Sequence, residues 1–359
     1  KYVNPSATAP VDMSFQAAID FGDPGDIIFA SAGSIDVPAQ VVVDKNMSIQ
    51  GAGKGVTVIT LSFDTGSSGD ARGWFLVDTG ADFGMSDLTL DGSGRLVAQA
   101  IRHRGGSGSY TNVQFTEIKF NESGPNYQGV AIAAFGTGAV NVTNSMFSEI
   151  GRVGVIYFGS GVSGSQFIGN MYTGKGIGDH LDYALDISAG AVVTAETNTI
   201  TNNLGEASSD GSASAGILVS TFFGPGTAAT LTCNDISNYT IGVAVGFNGS
   251  DESSVSAENN NIQGNTFGMT NTNPGGTTIS APNNYWGAPD GPSGAGPGSG
   301  DSVEPGITFS PFLSGISGCS PTGMSIPTMG QWALFLFGLT LFTLGMVVVY
   351  NLKKAQLFE

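Results

Sequence analysis

The residues best placed for chemistry are His180, Asp182 and Asp186, which fall with Asp179 inside the run Gly178 to Asp186. Two carboxylates with a histidine among them suit acid–base work. A pair of aspartates can act as acid and base in glycosidic hydrolysis, and carboxylates gathered around Ca²⁺ beside a base can draw a proton from a carbon next to a sugar carboxylate. The same acids are equally at home in a polar connecting loop, and that plainer reading is the expectation. A second cluster, Arg102-His103-Arg104, has the composition to bind an acidic sugar, but it too reads as a solvated loop. Gly51-Ala52-Gly53-Lys54-Gly55 lacks the spacing of a phosphate loop and is expected to be a turn between strands. No His and Cys spacing suggests zinc, and no G-x-S-x-G context offers a serine nucleophile. No cofactor is expected, with Ca²⁺ as the one candidate.

These residues belong to a chain of 359 with 29 acids against 12 bases, a formal charge of −17. That balance argues against nucleic acid, whose phosphates need clustered Lys and Arg. Glycine, at 55 residues, points to many tight turns. The chain begins at Lys1, read as the position left after an export signal is removed. Cys233 and Cys319 are the only cysteines. In an exported protein such a pair can form one disulfide, and two unpaired buried thiols are the alternative.

The elements that must position the acids are short strands. Phe15, Ala18 and Ile19 share one face of a short helix, Pro24-Gly25 breaks it, and Ile27-Ile28-Phe29 begins a strand. From Gln40 to Trp286 one phrase recurs, an apolar strand, a Gly or Asn turn and a second strand. The recurring strand starts at Gly129, Gly154, Ala184, Gly216, Gly242 and Gly268, spacings of 25, 30, 32, 26 and 26. Companion strands lie between them, at 112–115, 141–147, 162–167 and 230–236, with Val, Phe and Ile alternating against Asn, Thr and Ser. Such units bury their apolar faces only by stacking, and eight to ten coils about 4.8 Å apart make a rod of about 40 to 50 Å. Asn202-Asn203 and Asn259-Asn260-Asn261 suit left-handed corners and side-chain ladders. A β-sandwich is the competing architecture, but it would show hairpin signals more regularly.

The opening helix followed by Val41 to Ile59 (VVVDKNMSIQGAGKGVTVI) resembles the start of a pectate-lyase-like right-handed parallel β-helix, in which a helix covers the end of the solenoid. Asn283-Asn284-Tyr285-Trp286-Gly287, Asp290-Gly291-Pro292, Asp301-Ser302-Val303 and Phe309-Ser310-Pro311-Phe312-Leu313 resemble the ending of bacterial surface β-helices, with Trp286 and Phe312 as a closing plug. The expected fold is all-β: a right-handed parallel β-helix with a short N-terminal capping helix and a C-terminal hydrophobic α-helix. Residues 1–40 form the cap and first strands and 41–313 the solenoid, closed by 283–313. Residues 314–325 are a linker and 326–359 the tail.

Ile326-Pro327-Thr328, Trp332 and the uncharged run to Tyr350, ending in Lys353-Lys354, resemble the bacterial C-terminal sorting signal of the IPTL-CTERM type, with Met329 where that family usually has Leu. As a helix the 19-residue run covers about 28 Å, the span of a bilayer core, and the two lysines are expected to stay cytoplasmic. A buried core helix is the plainer alternative. Gly338 and Gly345 would let such helices approach closely and self-associate.

The leading functional expectation is an exported, non-enzymatic structural protein of the cell surface or extracellular space. It would be held in the membrane at least during export and would assemble into filaments through its tail. A surface-anchored polysaccharide lyase or hydrolase, or an adhesin that binds glycans without cleaving them, is the alternative.

Overall fold

Each coil of a solenoid must turn sharply without stranding backbone polar groups, and the sequence meets that demand with one corner repeated along the chain. Asp87, Asn112, Asn144, Thr197, Cys233, Asn259 and Asn283 all have positive φ, between 50° and 58°. Asparagine and aspartate tolerate that conformation better than other side-chain-bearing residues, which is why Asn is so frequent here. One step after Gly169, Thr197, Cys233, Asn259 and Asn283 a ladder of buried asparagines points inward, Asn170, Asn198, Asn234, Asn260 and Asn284, while Leu88, Val113 and Ser145 take that place at the earlier corners. The N–H of Asn198 donates to Asn234 Oδ1 at 3.1 Å and that of Asn234 to Asn260 Oδ1 at 2.8 Å. The Nδ2 of Asn234 donates both to Asn260 Oδ1 and to the carbonyl of Ala195, each at 2.9 Å. Backbone groups that the corner removes from the sheet are thereby paired between coils.

The structure is a computed structural model that describes residues 2–3, 13–121 and 128–319. It is a right-handed parallel β-helix. One face is an 11-stranded sheet and the others merge into a 19-stranded sheet bent at the corners. In the 11-stranded sheet the main strands are Val41–Val43, Gly73–Val77, Gln99–His103, Val130–Phe135, Val153–Phe158, Tyr183–Ser188, Ala215–Ser220, Ile241–Val245, Phe267–Asn271 and Gly300–Val303. All pair in parallel, so these ten strands stack over about 43 Å. Phe75, Ile101, Ile132, Val155, Leu185, Ile217, Val243 and Met269 form one inward column in register. Each is fully buried, and each such side chain contributes about 1.5–3 kcal/mol. Leu76, Arg102, Ala133, Ile156, Asp186, Leu218, Ala244 and Thr270 form the neighbouring outward column.

The repeat is as the spacing implies, apart from its first interval. Val153, not Gly154, lies opposite Val130. Gly129 is a turn residue at φ 132°, whereas Gly154, Gly216, Gly242 and Gly268 lie within strands. There a Cβ would meet the carbonyl of the next coil or side chains of the facing strand, as at Gly216 against the Gly242 oxygen at 2.7 Å. One residue type thus marks two positions. The companion stretches 141–147 and 230–236 are each split by a corner, at Asn144 and Cys233, into two strands.

Both described ends are covered. Helix Phe15–Phe21, capped by Ser14, buries Phe15, Ala18 and Ile19, with Phe15 edge-on to Phe75. The Gln16 amide accepts from the N–H of Val42 at 2.7 Å and donates to its carbonyl at 3.1 Å, pairing an edge that would otherwise recruit other strands. At the other end Trp286 is fully buried beneath Gly268, and Phe312 packs against Gly291. Cys233 is joined to Cys319 by a disulfide, so residues before the tail are fastened to a corner of the body. Ile326, Pro327, Thr328, Trp332, Gly338, Gly345, Lys353 and Lys354, with the apolar run between them, lie outside the described residues. Among the described residues no helix is long and apolar enough to cross a membrane.

Replacing Asn234 by Ala removes the acceptor of two buried donors and the donor of the Ala195 carbonyl. Denaturation should show a loss of about 3 kcal/mol or more. Asn259→Gly, at a corner whose φ of 58° suits glycine, should change stability by less than about 1 kcal/mol.

Candidate active site

Asp182 and Asp186 do not form a pair. Asp182 lies just before strand Tyr183–Ser188 and turns into the interior, where it is fully buried. It accepts from the Lys175 ammonium at 2.7 Å, from the Lys175 N–H at 3.2 Å and from the Tyr172 hydroxyl. Lys175 also reaches the Ile150 carbonyl at 2.7 Å. Burial pushes the Asp182 carboxyl above its ordinary range and the Lys175 ammonium below its own, and the attraction between them opposes both shifts. His180 is half-buried on the preceding turn, its pKa lowered by burial first and by the charge of Lys175 second. A carboxylate with no open side, bonded on each oxygen, holds a coil junction together and is not presented to a substrate.

Arg102-His103-Arg104 is likewise no solvated loop. Arg102 and His103 end strand Gln99–His103, and the alternation of the strand separates the three. His103 faces the core, fully buried, with Nε2 2.6 Å from the Tyr110 hydroxyl, and burial lowers its pKa to about 4. It is a neutral core residue at physiological pH. Arg102 and Arg104 face outward, where Arg102 reaches Asp70 at 3.2 Å and Arg104 binds Asp70 at 2.8 Å and Asp78. Arg102 also lies over the Phe135 ring, 4.9 Å from its centre. Gly51 to Gly55 form the expected turn between strands Met47–Gln50 and Thr57–Leu61.

Asp186 does point away from the solenoid core, in the outward column of the 11-stranded sheet, half-buried between Ile156 and Leu218 of the adjacent coils. Burial raises its pKa, while the Ser188 hydroxyl, which donates to Oδ1, and the charge of Arg152 pull it back. Arg152 comes from the preceding coil, and its carbonyl accepts from the Tyr183 N–H at 2.8 Å. Its charge acts on Asp186, Tyr183 and Asp210 alike. Tyr183 shares this face, its hydroxyl 3.4 Å from the Ala213 carbonyl and its pKa pushed up to about 12 mainly by burial. A half-buried carboxylate of raised pKa and a protonated phenol therefore share one sheet face, within reach of the positive charge of Arg152. Arg152, Tyr183 and Ser188 were not singled out in the sequence; the 30-residue coil spacing that sets residue 152 beside 182 is the signal that could have found Arg152.

A polar cleft of about 680 Å³ lies elsewhere, lined by Ser237, Asn238, Gln263, Asn265, Asp301 and Ser302 among others. Its acid, Asp301, has its pKa raised by burial, but both of its oxygens are engaged by the N–H groups of Gly264 and Asn265 and by Asn265 Nδ2. Among the described residues no three His, Cys, Asp or Glu side chains gather as a metal site.

This architecture defines a solenoid of the parallel β-helix class. No protein-family model matches the chain, and neither does any curated protein sequence. Solved structures do. The chain is similar to the pectate lyase Pel9A at 16% identity, covering 88% of this chain and 80% of that one, with a TM-score of 0.44. It is similar to the A-module of the mannuronan C-5 epimerase AlgE4 of Azotobacter vinelandii at 16% identity, covering 75% and 72%, with a TM-score of 0.42. The periplasmic alginate epimerase AlgG follows at 11% identity, covering 73% and 69%, with a TM-score of 0.31. The expectation of a non-enzymatic structural or filament-forming subunit is corrected here. The neighbours in fold are polysaccharide-modifying enzymes. Asp186, one of the three candidates named from the sequence, is the one that the coil stacking turns outward, on the face it shares with Tyr183.

Asp182→Ala, which strands the buried Lys175 ammonium, should lower folding stability by about 3–5 kcal/mol, measured by denaturant titration. The double replacement Lys175→Met with Asp182→Leu should recover much of that loss.

Proposed function

We propose that the protein is an exported enzyme acting on an acidic polysaccharide, with proton transfer at Asp186 as its chemistry and β-elimination as its reaction. The observation that carries this reading is the placement of Asp186, half-buried and outward, beside Arg152 and Tyr183. Arg152 binds the carboxylate of a uronate unit and neutralises the charge that develops there when the adjacent carbon loses its proton. Asp186 takes that proton; its raised pKa makes it a stronger base than an ordinary carboxylate. The electron pair of the broken C–H bond becomes a carbon–carbon double bond, the glycosidic C–O bond breaks, and the departing oxygen takes a proton. Tyr183, protonated at neutral pH, is the proposed donor. Ser188 holds the Asp186 carboxyl in place.

Among the described residues this face offers one carboxylate of raised pKa rather than a pair, which favours elimination over two-carboxylate hydrolysis. The Cys233–Cys319 disulfide supports an oxidising compartment, and the tail from Ile326 is proposed as the sorting segment of an exported chain.

Polygalacturonate and alginate are the substrates to try, following the unsaturated uronate product by its ultraviolet absorbance. Asp186→Asn should reduce turnover by roughly 10²- to 10⁴-fold. The rate should rise with pH through the pKa of Asp186, which burial places above the ordinary value of about 3.9. Arg152→Ala should move that limb to still higher pH, since losing a nearby cation disfavours the carboxylate. Absence of product from both glycans under every condition, or an Asp186→Asn variant as active as the parent, would overturn the reading.

A further inference from the structure

Along the edge of the face that carries Asp186 runs a line of phenylalanine rings. Phe135 and Phe158 are partners in register at the ends of adjacent strands, with ring centres 5.3 Å apart. Phe158 meets Phe223 at 5.3 Å, Phe223 meets Phe222 at 4.7 Å, and Phe222 meets Phe247 at 4.9 Å. Phe222, Phe223 and Phe247 are 57%, 63% and 37% exposed. At the coil of Asp186 the corresponding position is Ser188, opposite Phe158, and Ser188 bonds to Asp186. Phe223 reaches back from the turn after Ala215–Ser220 to touch Phe158, so the line continues past this gap. From the coil of Phe135 to that of Phe247 is four steps, about 19 Å, with the Asp186 coil in the middle.

We infer that this ridge is a stacking platform for successive pyranose rings of an acidic polysaccharide that lies along the solenoid axis across Asp186. The inference rests on the proposed function and adds to it an extended, multi-unit binding track and its direction. Two features choose this occupant over an apolar protein surface. The ridge runs past the coil that presents the candidate catalytic carboxylate, with Phe158 and Phe223 meeting across the Ser188 position, so a polymer that follows it passes Asp186. Cations also accompany it on a chain of net charge −17: Arg102, paired with Asp70, lies over Phe135, Arg104, paired with Asp70 and Asp78, follows at the same corner, and the charge of Arg152 reaches Asp186. A pyranose ring has an apolar face of axial C–H bonds that covers an aromatic ring, while its carboxylate needs a cation at the rim. A uronate polymer satisfies both.

The test is affinity electrophoresis of the full chain in gels cast with polygalacturonate, alginate or uncharged dextran. The wild type and the Asp186→Asn variant should both be retarded by an acidic glycan. Phe222→Ala with Phe223→Ala should weaken that retardation by roughly tenfold or more in apparent Kd. Phe21→Ala, which removes an exposed ring from the capping helix far from the ridge, should leave it unchanged. Thermal melting confirms that each variant is folded. Unaltered retardation of the folded Phe222/Phe223 variant overturns the inference, as does equal retardation by dextran or none by either acidic glycan. Retardation lost only with the ridge, in a protein that turns over neither glycan, supports the platform and removes the proposed elimination instead.

Discussion

The stacked corner is the constraint on which the rest depends. A parallel coil must reverse its direction within a few residues, and each reversal takes backbone N–H and C=O groups out of the sheet. The left-handed residues at 87, 112, 144, 197, 233, 259 and 283 make the turn, and after the last four of them buried asparagines pair the displaced groups with the next coil. Because that pairing is specific, the coils are locked in register. Register in turn sets which side chain of each strand faces the core and which faces outward.

That parity separates support from chemistry. The interior is filled by aligned columns of Val, Ile, Leu, Phe and Tyr, and the ionisable groups Asp182 and His103 that point inward are held there, Asp182 paired with Lys175 and Tyr172 and His103 kept neutral by burial. On the outer side the stack brings together residues far apart in the chain. The charge of Arg152 reaches Asp186 because the two lie one coil apart, and Phe158 and Phe223 meet across two. The candidate site is therefore a property of the stack and not of any one segment.

The fold was legible because a solenoid writes its repeat into the chain: the helix at Phe15–Phe21, the strand spacings, the corner asparagines and the closing Trp286 are all local signals. The site was less so. His180, Asp182 and Asp186 are neighbours in sequence, and a regular strand would put Asp182, Ala184 and Asp186 on one face. In the structure both Ala184 and Leu185 are buried, a break in alternation at the strand entry that sends Asp182 inward and Asp186 outward. Arg102-His103-Arg104 misled for the opposite reason, since three polar residues read as a loop although two of them end a strand and one lies in the core. The glycine that phased the first repeat belongs to a turn at Gly129 and to a strand at Gly154, which shifted that interval by two residues.

The most direct measurement is a crystal structure of the Asp186→Asn variant with a uronate oligosaccharide of several units. The account predicts the sugar on the outer face of the 11-stranded sheet, parallel to the solenoid axis, with a carboxylate on Arg152, the proton-bearing carbon facing residue 186 and neighbouring rings over the phenylalanine line. An oligosaccharide seated instead in the polar cleft lined by Gln263, Asn265 and Asp301, with the Asp186 face bare, would contradict it.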